Sequence, residues 1–340
     1  MASTTDANVF VTVSALDGGH LTLPERLFVT DADPDIRRTV PSLSFLIQHP
    51  SPSSDTKTTT KLVFDLGLKR DIAAYTPSQR AHIAQRQPVI VDPDLSSSLR
   101  KGNLDPSTDI DIVIVSHVHW DHVGTSSDFG SATFFVGSGT LDVLKNGAGP
   151  LYPAYLFNDD ELPLSRTVEF PPVPGGQHDY SGTSYTPNKY TETPADSQAK
   201  LPDSAKGWAW QSLASFPHVL DFFGDGSLYV IDSPGHLYGH VNLLARIGDR
   251  KYVYLGGDCC HDPRILRGEK GIALYEDGRG GLRSVHVDTS VARNTLDQIA
   301  GFVSDKKLGV EEVEVEVEVV VAHDAVWREG NGHRFWPGSL

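Results

Sequence analysis

Histidine and aspartate crowd one short stretch of the chain, DIVIVSHVHWDHVG from Asp111 to Gly124. His117, His119, Asp121 and His122 are of the types that bind borderline-soft divalent metals such as zinc. Imidazoles at i and i+2, then a carboxylate and a third imidazole, do not converge on one ion from a regular helix or strand. From a loop bending off a rigid strand end they do. The competing reading is a His-rich surface loop without a ligand, and it predicts no further ligand-type residues downstream. They recur at three later places: the segment DSPGHLYGH from Asp232 to His240, Asp258 after YVYLGG, and His323-Asp324 after VVVA. Each follows an apolar run, the way a fold gathers ligands from distant positions at one edge of its sheets.

The elements that must position these residues are legible around them. The continuous β-branched run at 112–115 reads as a buried strand ending at Ser116, and Gly124 supplies freedom where the loop turns back. Before it, strands are expected at 8–14, 40–48 and 61–67, with a turn at Asp17-Gly18-Gly19, a solvated connection at 31–38 and a hairpin tip at 49–60. Asp65 stands where strand gives way to loop. It reads equally as a group placed near the metals or as an ordinary turn aspartate. Helices are expected from Pro77 to about residue 87 and over 94–101 closed by Gly102, then a strand at 132–136 and a short helix at 139–146.

From 150 to about 207 the pattern dissolves into a polar segment rich in Pro, Gly, Ser and Thr, too long for an ordinary connection. It is read as disordered or as a lid, and Tyr180, Tyr185, Tyr190, Trp208 and Trp210 tilt the balance toward a lid that packs. Strands return at 218–223 and 227–232 around Gly224-Asp225-Gly226, and at 241–246 and 251–255. Asp288 caps an expected helix to about 305 with Ala292, Leu296, Ile299 and Val303 on one face. Strict Val/Glu alternation from Val313 argues a strand near a sheet edge with one wet face; low-complexity repetition competes for its first half. Strands and helices recur through both halves without a clean linker, so residues 1–340 read as one layered α/β domain with a polar insertion or lid at about 150–210.

Composition narrows the partners. The 340 residues carry 44 acidic against 29 basic side chains, a formal charge of −15, which disfavours a nucleic-acid partner. The start, MASTTDANVFVT, lacks a basic then apolar leader, and no stretch approaches a membrane span, so a cytoplasmic protein without a membrane partner is expected. The two cysteines, Cys259 and Cys260, are adjacent and give no disulfide framework, consistent with a reducing compartment. They are read as small buried apolar residues rather than ligands. His20, His49, His82, His178, His218, His286 and His333 carry no ligand pattern and are read as surface or core, with His286 ranked first among them for any role. The oligomeric state is open.

HVHWDH, SPGHLYGH, GGD and the final AHD together resemble the ordered signature of the metallo-β-lactamase superfamily, over residues 40–325. The resemblance implies a four-layer αββα sandwich with a metal site at the sheet edges. It implies that His117, His119 and His236 hold one ion, Asp121, His122 and His323 a second, and that Asp258 bridges them, with His240 orienting a neighbouring group. Seven ligands exceed what one tetrahedral zinc needs, and a closed structural site would use cysteine-rich spacing, so two catalytic ions are the natural conclusion. Zinc is expected, although mixed nitrogen and oxygen ligation also accommodates iron or manganese. A bridging hydroxide would attack an electrophilic carbon, and Asp121 would shuttle a proton to the leaving group.

Within the superfamily the pattern is most similar to the N-acyl-homoserine lactonases, the quorum-quenching enzymes. They share a bulky apolar residue at the position of Trp120, read here either as a wall of the acyl pocket or as a packing residue beneath the site. The chain departs from them at His261, three positions after the bridging aspartate, where such lactonases often carry a tyrosine that helps polarise the lactone. Histidine can donate a hydrogen bond there too. The expected function is therefore a hydrolase opening a lactone, with a thioesterase of glyoxalase II or acyl-carrier type, or a lactamase, as the alternative. A non-enzymatic metal-binding protein would be expected to lack ligands, and none is missing. The insertion at 150–210 and the loop at 31–40 are expected to shape the pocket.

Overall fold

The computed structural model describes residues 9–50, 59–175, 198–308 and 313–340. Strands β1 (Thr12–Pro24), β2 (Arg37–Pro50), β3 (Thr59–Phe64), β4 (Ile112–Val115), β5 (Thr133–Val136) and β6 (Thr167–Glu169) form one sheet in sequence order. β1 to β3 are antiparallel and β3 to β6 parallel. A second sheet takes β7 (Gln211–Leu213), β8 (Phe216–Asp221), β9 (Leu228–Asp232), β10 (Val241–Gly248) and β11 (Lys251–Leu255). Between β11 and the last strand lie two small hairpins, β12 (Tyr275–Glu276) with β13 (Leu282–Arg283) and β14 (Lys307–Leu308) with β15 (Val313–Glu314). β16 (Glu316–Val320) then adds to β11 in parallel as the edge of the second sheet.

Three apolar cores make this a stack of four layers. Between the sheets lie Val13, Phe45, Phe64, Ile114, Val230, Leu243 and Leu255, all nearly or fully buried. Outside the first sheet, Leu95, Leu99, Val143 and Leu144 from two short helices cover Val63, Val113 and Phe134. Outside the second, Leu296, Ile299 and Phe302 of the helix Thr289–Asp305 cover Ile231, Leu244 and Tyr254. β4 is buried on both faces, which is why its sequence is an unbroken apolar run rather than an alternation.

Most expected elements are present within a few residues, and the departures have local causes. β1 does not turn at Asp17-Gly18-Gly19; it bulges between Asp17 and His20 and continues to Pro24. Gly18 is required there because a Cβ would lie 2.5 Å from the Ser42 carbonyl and 2.8 Å from the Gly67 backbone, so the glycine pair marks a close approach. The helix at Thr289–Asp305 is capped by Asp288 as expected, but Phe302 rather than Val303 completes its buried face. The Val/Glu strand does lie at a sheet edge, and its Glu318 is paired with Arg334 at 2.6 Å. At the other sheet, the C-terminal tail runs along β1, with Trp336 N–H donating to the Ala15 carbonyl and Leu340 N–H to that of Val13, covering the exposed edge. The hairpin tip at 51–58 and the tyrosines at 180, 185 and 190 lie outside the described residues. Trp208 and Trp210 pack against the core between the sheets. Among the described residues, no helix is long and apolar enough to cross a membrane.

Candidate metal centre

The loop behind β4 presents His117, Asp121 and His122 nearly without exposure to solvent. Its return is set by Gly124, at φ +46°, where a Cβ would fall 2.3 Å from the Leu66 carbonyl oxygen. Hydrogen bonds then fix which ring nitrogen each histidine turns inward. Asp65, itself in the left-handed region at φ 61°, accepts from the Ser116 N–H at 2.6 Å, the Ser116 hydroxyl at 2.7 Å and His122 Nδ1 at 2.8 Å. With its proton committed to Asp65, Ser116 Oγ accepts from His117 Nδ1 at 3.0 Å. His323 Nδ1 donates to the Pro41 carbonyl at 2.7 Å. In all three the Nε2 lone pair is left for the interior.

Those nitrogens converge on Asp258. Its Oδ2 lies 3.7 Å from His117 Nε2 and 3.4 Å from His236 Nε2; its Oδ1 lies 3.3 Å from His122 Nε2 and 3.2 Å from His323 Nε2. His119 Nδ1 is 2.9 Å from His117 Nε2 and 3.0 Å from His236 Nε2, and Asp121 Oδ2 is 3.6 Å from His323 Nε2. All seven residues expected as ligands are thus in one place, in two groups with Asp258 between them.

The donor set fits cations. Three imidazole nitrogens face one another at about hydrogen-bonding distance, and a proton between one pair leaves the third without a partner. His122 Nε2 and Asp258 Oδ1 are buried without any hydrogen bond. Burial, and then the neighbouring imidazoles, drive the pKa of His117 and His236 well below the usual histidine value. Burial opposes charge at His122 as well, but Asp258 and Asp65 beside it overcome this and raise it well above. Burial likewise opposes charge at His323 and at Asp258. His323 is nonetheless raised by Asp258, and Asp258 is held well below the carboxylate range by His323, His122 and His261. The interior draws positive charge, which divalent ions would provide.

The other expected residues also fall here. His240 is saturated by backbone: Nδ1 donates to the Ser233 carbonyl at 3.1 Å and Nε2 accepts from the Asp258 N–H at 3.2 Å, so it holds the segment that carries Asp258. His261 Nε2 stands 3.2 Å from Asp258 Oδ2 with its ring stacked on His323 and against Phe28, while its Nδ1 is buried without a partner. Trp120 packs edge-on to Tyr75 and His82 and lines the cavity above the cluster. Cys259 and Cys260 are free, buried core residues.

Three further segments of the chain contribute residues to which sequence reasoning gave no role. His286 Nδ1 lies 3.2 Å from His236 Nδ1, brought there because 287 and 288 hydrogen-bond to the backbone of 236 and 235. Gln79, His82 and Arg86 line the cavity from the helix at Pro77–Ile83 and the turn after it. Their spacing of three and four on an expected helix was the available signal. Tyr275 and Arg283 come from the hairpin β12–β13, whose turn GRGG was legible as punctuation. The cavity holds about 320 Å³ and its apolar wall is Leu21, Leu23, Leu27 and Phe28, with Leu151, Tyr152 and Leu156 from the start of the insertion. The loop at 31–40, expected to shape it, contributes no lining residue. That role falls to the end of β1 and the turn after it, because β1 runs on past its bulge.

No protein-family model matches the chain. It is 28% identical over 327 residues to the cytochrome P450 monooxygenase mpaDE′ of Penicillium brevicompactum, covering 93% of this chain and 33% of that protein. The chain therefore spans about a third of the length of the first relatives it matches, and their printed activity is that of a much longer protein. The metallo-hydrolase mfmC of Annulohypoxylon moriforme is 30% identical over 67% of this chain and 50% of its own length. The gamma-lactamase MBL2 of Gibberella moniliformis is 29% identical over 59% of this chain and 70% of its own. Among solved structures, an N-acyl homoserine lactone hydrolase with the product N-hexanoyl-L-homoserine at its catalytic metal center superposes at a TM-score of 0.60, with 12% identity, over 98% of this chain and 100% of the other. The dizinc quorum-quenching lactonase AidC superposes at 0.53, with 12% identity, over 93% and 91%.

Proposed function

The chain has the fold of the metallo-β-lactamase superfamily, and from that premise we propose that it is a metal-dependent hydrolase that opens a lactone at a dinuclear, zinc-type centre. The observation that carries this is the two-sided carboxylate of Asp258, with Oδ2 facing His117 and His236 and Oδ1 facing His122 and His323. His117, His119 and His236 would hold one ion, Asp121, His122 and His323 the other, with iron or manganese as substitutes for zinc. Such ions, when bound, supply Lewis acidity and a water that is nucleophilic near neutral pH.

The protein's own groups do the rest. His261 takes the place expected of a tyrosine and, with both ring nitrogens protonated and Nε2 turned to Asp258 Oδ2, hydrogen-bonds the ester carbonyl oxygen through Nδ1. Asp121, lining the cavity, takes the proton that the attacking water gives up and passes it to the departing alkoxide. Trp120, Phe28 and the leucines of β1 exclude water from the reacting bond and hold an apolar part of the substrate. A cyclic amide is the second reading, favoured by the gamma-lactamase relative. Its amine leaving group leans harder on the Asp121 proton than an alkoxide does.

The test is proton release from a lactone, a lactam and a thioester by the metal-loaded protein, repeated after chelation and metal return. The expected result is chelator-sensitive turnover, greatest on the lactone, and a loss of at least about a hundredfold in His117→Ala and Asp258→Ala. Hydrolysis untouched by these substitutions would sink the mechanism; preference for the lactam would move the protein to the second reading.

A further inference from the structure

Several arginines of this acidic protein are matched to carboxylates. Arg70 pairs with Asp94 and Asp128, Arg264 with Asp262 and Glu25, Arg328 with Asp17 and Arg334 with Glu318. Arg86 and Arg283 differ. Both are half-buried and line the cavity above the metal cluster. Among the described residues neither has a carboxylate partner or a side-chain hydrogen bond, and Arg283 Nε is buried with none. The carboxylates lining the same cavity are Asp121 and Asp258, both taken up in the cluster.

Arg283 is held in place without being neutralised. Its guanidinium sits 5.3 Å from the Tyr275 ring centroid and 5.8 Å from that of Tyr152. Tyr152 in turn donates its hydroxyl to the Val285 carbonyl and lies 5.5 Å from the His119 ring, so one wall runs from Arg283 to the expected metal ligands. Arg86 lines the same cavity as Tyr152, Tyr275 and Arg283. Burial lowers the Arg86 pKa, opposed by the charge of Asp121 and helped by that of Arg37, the mark of a cation held partly out of water. A desolvated guanidinium without a partner is costly unless something supplies the anion. Its planar fork matches a carboxylate with two parallel hydrogen bonds.

Resting on the hydrolase reading above, we propose that the cavity selects a substrate bearing a second, anionic group of carboxylate size, which Arg86 and Arg283 bind while the cyclic ester lies over the metal cluster. The leucines and Phe28 leave room for an apolar body between the two ends, so the class is an amphipathic lactone acid rather than a neutral acyl lactone.

The experiment uses the metal-loaded full chain and matched probes. Turnover is measured on γ-butyrolactone-γ-carboxylate and on its carboxamide. Equilibrium binding is measured by titration calorimetry with glutarate, whose two carboxylates can occupy both ends, and with its monoamide. The carboxylate is expected to be preferred in both assays, and added salt to erode that preference. In Arg86→Gln or Arg283→Gln the ratio of kcat/KM for carboxylate over carboxamide should fall about tenfold, through KM, with Arg→Lys recovering part of it. Metal content and thermal unfolding of each variant report whether it has folded. Equal turnover of the two lactones, or a preference that survives both substitutions, overturns the proposal and leaves the hydrolase reading standing. If neither lactone is opened, that reading fails, and the calorimetric preference for glutarate and its loss in the arginine variants decide the anion site alone.

Discussion

At the scale of single residues, the site depends on groups that decide how an imidazole is turned. Asp65 is the clearest case: one buried carboxylate receives two protons from Ser116 and one from His122. Replacing Asp65 with alanine strands those donors and frees the His122 ring. The expected outcome is a loss of about 2–4 kcal/mol in unfolding free energy, from buried donors left unmade. A drop of roughly ten- to a hundredfold in metal affinity should accompany it, read by competition with a chromogenic chelator. Unchanged metal affinity in a folded Asp65→Ala protein would show that His122 needs no such orientation.

At the scale of elements, three separate pieces of chain are tied beside the site by one cluster of charges. Arg70, from the loop after β3, binds Asp94 at the start of the helix Leu95–Lys101 and Asp128 from the loop beyond Gly124, and Ser96 donates to Asp128 at 2.5 Å. Burial alone would raise the Asp128 pKa, but Arg70 and Ser96 outweigh it and hold it below the usual carboxylate value. A carboxyl depressed on folding stabilises the protein fully above its unfolded pKa, near about 4, and that contribution is lost as pH falls through the folded value. Urea unfolding as a function of pH should therefore weaken below about pH 4 in the parent. In Asp128→Asn it should weaken less steeply there, from a lower starting stability. Parallel profiles for the two proteins would exclude the linkage.

At the scale of the whole molecule, the groups proposed as ligands come from both sheets. His117, His119, Asp121 and His122 follow β4 of the first; His236, Asp258 and His323 follow β9, β11 and β16 of the second. Ions held between them would join the two sheets at one edge of a shared core. Metal binding should then stabilise the fold as a ligand does, by about 2.7 kcal/mol at a free concentration a hundred times the dissociation constant. Chelation is expected to lower the melting temperature reversibly, with zinc restoring it in proportion to the logarithm of its concentration. A melting temperature indifferent to chelator would mean that the ions do not bridge the sheets.

The residue types and their order determined a good deal. An apolar run that stops at a histidine or aspartate says both where a strand ends and what it presents, and this happened at β4, β9, β11 and β16. The cap Asp288 was readable because capping is a local hydrogen bond. Tertiary structure decided what depends on partners far apart in the chain. The Asp17-Gly18-Gly19 segment reads as a turn until Ser42 and Gly67 are seen against it, and then only a bulge fits. His286 has no pattern around it, and matters because its segment is laid beside His236. Arg86 and Arg283 lie in unrelated stretches, and neither is informative until one cavity contains both and lacks their counter-ions. Even for the metal-ligating types, sequence fixed the presence of an imidazole but not which nitrogen it offers. That is settled by where its other proton goes, as with His323 Nδ1 and the carbonyl of Pro41 from the opposite sheet, a contact that exists only once the layers have packed.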